Sequence, residues 1–182
     1  MRLPLVLMLL SFPGCQRGLQ GATDALPAEG APLPPFSLAQ LDGRQVATAD
    51  LRGQPSVVAL WSTTCGASRK ALAGIAALQG EYAARAVRIL VVADDASAST
   101  VQAVLDSAGL TVPVALAAGQ ITPIFATAKR WPWQPGVALP SFLIVDSVGV
   151  VWRRVVGIEE DPARRMDRVR QALAAILERD GA

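Results

Sequence analysis

The sequence predicts an α/β fold: a central mixed β-sheet flanked by helices, with an N-terminal β-hairpin extension. Three observations lead there. Residues 56–61 and 87–93 are continuous apolar runs, the pattern of strands covered on both faces. Each is followed by a stretch with apolar residues at helical spacing: Leu72, Ile75, Ala76 and Leu78 in the first, Val101, Val104 and Leu105 in the second. Asp42-Gly43 and the run Asp146-Ser147-Val148-Gly149 lie between short β-like segments, which is a hairpin signal.

In chain order, residues 1–15 read as an export signal. Arg2 is followed by an apolar run, Leu3 to Phe12, too short to span a bilayer as a mature helix, and then by Gly14-Cys15. A small residue directly before a cysteine resembles a bacterial lipoprotein processing site, with Cys15 as the lipidated residue that holds the chain to a membrane. The alternative is an ordinary secretory signal with an incidental cysteine. Residues 16–35 are rich in Gly, Ala and Pro without apolar period and read as a flexible tether. The domain proper is expected over 36–180. Strands at 36–38 and 45–47 form the first hairpin. The strand at 56–61 leads to a helix at 67–79, the strand at 87–93 to a helix at 99–108 ended by Gly109. A short strand at 112–116 and a helix at 121–129 follow. Strands at 141–145 and 150–156 form the last hairpin. Asp161-Pro162 opens the final helix, Asp as N-cap and Pro at the first helical position, with Met166, Val169, Leu173, Ile176 and Leu177 as its core stripe. Crossovers between parallel strands of such a sheet are right-handed.

Composition narrows the chemistry. The 182 residues contain no histidine, which removes His-based triads, His general bases and His-ligated metals. Two cysteines, Cys15 and Cys65, are too few for a cysteine-rich zinc site, so no metal and no cofactor is expected. A formal charge of +2 gives no electrostatic footprint for nucleic acid. Arg153, Arg154, Arg164 and Arg165 alternate with Glu159, Glu160, Asp161 and Asp167 and read as a solvated face.

The segment Trp61-Ser62-Thr63-Thr64-Cys65-Gly66-Ala67-Ser68-Arg69-Lys70 carries the functional signal. It puts Cys65 at a strand-to-helix junction, where free N–H groups and the helix dipole favour a negative charge and hence a thiolate. With Cys15 lipidated, Cys65 is the one thiol of the mature chain, unpaired in an oxidising compartment. The bland alternative is an inert buried cysteine kept for its volume.

Three stretches together resemble the thioredoxin superfamily, in particular its TlpA/ResA-like branch of exported, membrane-tethered thiol–disulfide oxidoreductases. They are Pro35-Phe36-Ser37-Leu38 with Leu41-Asp42-Gly43 and Leu51-Arg52-Gly53; the Trp61 to Lys70 segment, similar to a W-x-x-x-C-x-x-C-R pattern; and Leu139-Pro140-Ser141-Phe142-Leu143-Ile144-Val145-Asp146 with Gly149 and Gly157. The resemblance implies a thioredoxin-like fold, a cis peptide bond before Pro140 facing Cys65, and periplasmic localisation. It also has departures. Ser68 stands where a second cysteine is usual, Thr64 where an aromatic is common, Ala67 where proline is common, and Ala59 where a polar group often sits beneath the site.

The expected chemistry is thiol–disulfide exchange through a mixed disulfide on Cys65, with Ser68 as an auxiliary hydroxyl and Arg69 and Lys70 in support. Leu139 and Pro140 would rest the substrate backbone, with Trp61 as a further substrate contact. Trp131-Pro132-Trp133-Gln134-Pro135 is a stiff amphipathic insertion that either grips a partner beside Cys65 or packs on the rim. Partners would be protein thiols or disulfides, or a low-molecular-weight thiol that resolves the intermediate. Two other readings stay open: a redox-silent binding module using the Pro140 groove and the tryptophan loop, and a peroxiredoxin-type peroxidase. The latter calls for Pro-x-x-x-Thr-x-x-Cys, where this chain has Val58 and Ser62.

Overall fold

The computed structural model describes residues 25–126, 136–156 and 161–180. The residues read as an export signal, with Cys15, the first part of the stretch read as a tether, Trp131, Trp133 and Gly157 lie outside them. Among the described residues seven strands form one sheet. They are β1 (Ser37–Gln40), β2 (Gln45–Ala47), β3 (Ser56–Trp61), β4 (Arg88–Ala93), β5 (Val114–Leu116), β6 (Ser141–Val145) and β7 (Val151–Val156). Their order is β2-β1-β5-β4-β3-β6-β7. Strands β3, β4 and β5 are parallel, while β6 joins β3 antiparallel and β1 joins β5 antiparallel. The helices are α1 (Gly66–Tyr82), α2 (Ala98–Ser107), α3 (Ile121–Phe125) and α4 (Pro162–Asp180), and a 3₁₀ turn spans Thr48–Leu51.

Side-chain alternation along the central strands divides the core in two. Val57, Ala59 and Trp61 of β3, with Phe142 and Ile144 of β6, pack under Leu72, Ile75 and Leu78 of α1, Val101 and Leu105 of α2, and the predicted α4 stripe. Val58, Leu60, Leu143 and Val145 face the other way, onto Ile121 and Phe125 of α3. Every residue of β3 is buried, as its unbroken apolar run predicts.

Local chemistry sets the ends of the elements. The Asp161 carboxylate accepts from Ala163 N at 3.0 Å and starts α4. Asp146 Oδ1 accepts from Val148 N and Val150 N, with Gly149 at φ 91°, and closes the β6–β7 hairpin.

Four details differ from the sequence reading. Strand β5 starts after Pro113, which has no N–H to give to a ladder. Helix α3, expected over 121–129, ends at Phe125, where Ala126 turns to extended backbone; residues 127–129 lie outside the described residues. Residues 25–35, read as the end of the tether, lie on the domain. Leu26 and Leu33 are 1% and 4% exposed, and Gly30 N and Leu33 N donate to Val151 O and Gly149 O, running along the outer edge of β7. Two leucines in a Pro/Ala/Gly background give no period to read, yet they cover an otherwise open strand edge. Arg165, read on a solvated face, is buried beside the core stripe of α4.

The α1–α4 contact yields a paired test. A Cβ on Gly74 of α1 would lie 2.5 Å from Met166 Cγ, whereas one on Gly80 meets nothing within 4 Å. Helix propensity favours alanine at both positions by roughly 0.5–1 kcal/mol. Overpacking costs about 1–3 kcal/mol, and Met166 is itself buried. Gly80→Ala is therefore expected to raise the urea midpoint of the purified domain and Gly74→Ala to lower it.

Candidate active site

The register of β3 on β6 builds the site. Leu60 pairs with Ser141, so the loop leaving β3 and the loop entering β6 meet at one end of the sheet. Cys65 sits in the first loop as the N-cap of α1, half-buried, with φ −89° and ψ 116°. Leu139 and Pro140 form the second, joined by the expected cis peptide bond. The two loops touch: Cys65 Sγ donates to Leu139 O at 3.3 Å, across 74 residues of sequence.

The surroundings shift the thiol. Burial pushes the Cys65 pKa up, but this is outweighed by the Ser68 hydroxyl, the backbone N–H groups of Ser68 and Ala67, and the charge of Arg69, so the thiol lies below its ordinary range. Geometry assigns these contacts to different protonation states. The S–H that donates to Leu139 O is the neutral form. Ser68 Oγ is completely buried and has no hydrogen-bond partner among the described residues. Its hydroxyl is a donor that favours the ionised sulfur over the neutral one.

The loop itself is clamped. Thr63 N donates to Asp95 Oδ2 at 2.9 Å, Thr63 Oγ1 donates to Asp95 Oδ1, and Arg69 Nη1 donates to Thr63 O at 2.7 Å. Asp94 N donates to Trp61 O, and the Asp94 carboxylate accepts from Ile121 N at the start of α3. Sequence reading missed this role of Asp95. Its signal is an acidic doublet, Asp94-Asp95, directly after the buried strand β4 that lies beside β3.

Other expected residues are placed differently. Trp61 is 0% exposed and belongs to the core under α1, so it offers no surface to a substrate. It shares the inward parity of Val57 and Ala59, which outweighs its place at the head of the motif. Ala59 is likewise core, leaving an apolar floor in its place. Val58, at the proline position of the peroxidase pattern, is buried in mid-strand. Ser62 Oγ is engaged with Thr64 Oγ1 and Thr64 N, not with the Cys65 sulfur.

The AhpC/TSA family profile matches residues 30–154. The chain belongs to that family. It is similar to the thiol-disulfide oxidoreductase ResA of Bacillus thuringiensis (strain Al Hakam), 27% identical over 128 residues, which make up 70% of this chain and 69% of the relative. A shorter stretch of 68 residues, 36% of this chain and 38% of the relative, is 41% identical to the thiol:disulfide interchange protein DsbE of Pseudomonas fluorescens biotype C. Among solved structures, a thiol:disulfide interchange protein of the thioredoxin family from Chlorobium tepidum TLS aligns with TM-score 0.62 and 23% identity, covering 81% of this chain and 99% of its own. The thioredoxin domain of a thiol-disulfide oxidoreductase from Bacteroides vulgatus aligns with TM-score 0.65 and 16% identity, covering 80% and 97%. At these identities the likeness is one of fold, and the fold is thioredoxin-like. Within this family-wide scaffold, Ser68 follows Cys65 by three residues.

The thiol environment makes a direct prediction. Iodoacetamide alkylation of Cys65 against pH is expected to have its midpoint below that of the same chain unfolded in denaturant. Ser68→Ala should move that midpoint up, because the thiolate loses a donor that the neutral thiol does not use. An unmoved midpoint would mean that the hydroxyl plays no part in the ionisation.

Proposed function

We propose that this protein is a thiol–disulfide oxidoreductase that works with one cysteine. The observation that carries the reading is the placement of Cys65. It is a half-exposed thiol at a helix start, facing the carbonyl that precedes a cis proline, with its pKa lowered. The ResA and DsbE relatives support the same reaction class.

The Cys65 thiolate attacks one sulfur of a substrate disulfide. That S–S bond breaks, a Cys65–substrate disulfide forms, and the second substrate sulfur leaves as a thiolate. A neighbouring cysteine would now release the product within one molecule, at a large effective concentration. Ser68 has no thiol for this. Release therefore comes from a second thiolate, either the substrate's own or that of a small thiol. A different substrate thiolate attacks the substrate sulfur, a new substrate disulfide forms and Cys65 leaves as the thiolate it began as. A small thiolate instead attacks the Cys65 sulfur, and the substrate leaves as a thiolate. A second small thiolate then frees Cys65 and carries the disulfide away as the oxidised small thiol. With one thiol at the site, the domain keeps no electron pair between turnovers. The net result is disulfide isomerisation when another thiol of the substrate resolves the intermediate, and reduction of the substrate disulfide when two small thiols resolve it and are oxidised to their own disulfide.

The Leu139–Pro140 edge would hold the substrate chain during this interval. We further read the protein as exported and lipid-anchored in the periplasm, on the strength of Arg2, the apolar run 3–12 and Gly14-Cys15. A secreted Mycobacterium tuberculosis disulfide oxidoreductase has the same fold, with TM-score 0.58.

Two outcomes test the proposal. The wild type incubated with a disulfide-bonded peptide should accumulate a Cys65 mixed disulfide, visible by intact mass and absent in Cys65→Ser. Ser68→Cys should clear the same adduct orders of magnitude faster. If the folded wild type forms no adduct, the exchange reading fails and a binding role takes its place. Separately, Cys15→Ser should move the protein from the membrane fraction to the soluble periplasmic fraction.

A further inference from the structure

The active-site loop depends on a residue from outside the Trp61–Lys70 segment. Thr63, two positions before Cys65, is 7% exposed, and all three of its polar groups are engaged. Its N–H and hydroxyl both reach the Asp95 carboxylate, which projects from the β4–α2 connection. Its carbonyl takes the Arg69 guanidinium from the first turn of α1. Thr63 thus links an anion on one element to a cation on another. Fixing the orientation of Thr63 fixes where its carbonyl points, and that carbonyl holds an otherwise exposed arginine side chain at the helix start. Arg69 has many rotamers, and a partly buried carbonyl bond at 2.7 Å selects one of them.

We propose that Asp95 is a positioning residue for the thiol chemistry: through Thr63 it fixes the Cys65 loop and keeps the Arg69 cation at the first turn of α1. The inference rests on the one-cysteine reading only for its purpose. The linkage itself is read from hydrogen bonds and is testable on the thiol alone. The charged groups at this end of the sheet, among the described residues, are Arg69 and Lys70 of α1 with Asp94 and Asp95 after β4.

The sign of the effect distinguishes positioning from simple electrostatics. If Asp95 acted on Cys65 directly, as a nearby negative charge, its removal would favour the thiolate and lower the alkylation midpoint. Acting through Thr63 and Arg69, its removal frees the cation to move into solvent and raises the midpoint.

The experiment is a cycle of Asp95→Asn, Arg69→Gln and the double variant in the full chain, reading the Cys65 alkylation rate with iodoacetamide against pH. Asp95→Asn keeps the shape and one acceptor. Thr63→Val removes the hydroxyl arm and serves as an independent variant should Asp95→Asn unfold. The expected result is that Asp95→Asn and Thr63→Val raise the midpoint and slow alkylation several-fold at a pH below it. The double variant should be no slower than Arg69→Gln alone, within about twofold, since both changes break one linkage. Arg69→Lys should restore less than full reactivity, its single ammonium being a poorer match to a fixed carbonyl contact. A lowered or unmoved midpoint in both single variants, or strictly additive effects in the double, would overturn the proposal. A wild type that alkylates as expected but forms no mixed disulfide would overturn the exchange reading and leave the positioning role standing.

Discussion

The site depends on the antiparallel pairing of β3 with β6. Cys65 and Leu139 are 74 positions apart in the chain, and no local preference brings them together. The ladder does. With Leu60 opposite Ser141, the strand that ends in the cysteine loop and the strand that begins after Pro140 meet at one end of the sheet. A slip of one residue would turn Val57, Ala59 and Trp61 out of the α1 layer and carry Cys65 away from the Leu139 carbonyl. The core and the chemistry are therefore held by the same register, and the fully buried β3 makes that register expensive to change.

Within this frame, two states of one sulfur use different partners. The neutral thiol has the Leu139 carbonyl, while the thiolate has the first-turn N–H groups, the Ser68 hydroxyl and the Arg69 charge. Each arrangement leaves something unused in the other. Ser68 Oγ stands unpartnered while the thiol is neutral, and the Leu139 carbonyl loses its donor when the sulfur ionises. That carbonyl lies on the edge proposed to carry substrate backbone. Ionisation would thus activate the nucleophile and clear a backbone acceptor beside it in the same movement.

Much of this could be read before any coordinates. The continuous apolar runs of the buried strands, the Asp161 cap, the two Asp-containing hairpin turns and the strand-to-helix placement of Cys65 are all local, and local rules found them. The cis bond before Pro140 came from family resemblance, since nothing local distinguishes Leu139-Pro140 from other X-Pro pairs. What escaped was long-range or masked by composition. Leu26 and Leu33 sit in a stretch whose Pro and Gly content reads as linker, but each fills a place in the core. Trp61 was legible and misread: its parity with Val57 and Ala59 marks it as core, and its motif position suggested substrate. Asp95 had no motif at all. Its role exists because β4 lies next to β3, and topology supplies that adjacency.

On the one-cysteine proposal, serine at position 68 changes what the rest of the site would have to do. A second cysteine would let the protein end its own mixed disulfide at once, making the strength of substrate binding secondary. Serine removes that exit while keeping a buried hydroxyl that favours the thiolate. A favoured thiolate is also a better leaving group, so the feature that activates Cys65 for attack assists its release when a second thiolate arrives. In the proposed cycle one hydroxyl would therefore serve both halves. The interval between them is set by how soon a second thiol reaches the intermediate. On this proposal the chain would do best with substrates that carry their own second thiol close by, a requirement that would favour the shuffling of disulfides over their net reduction.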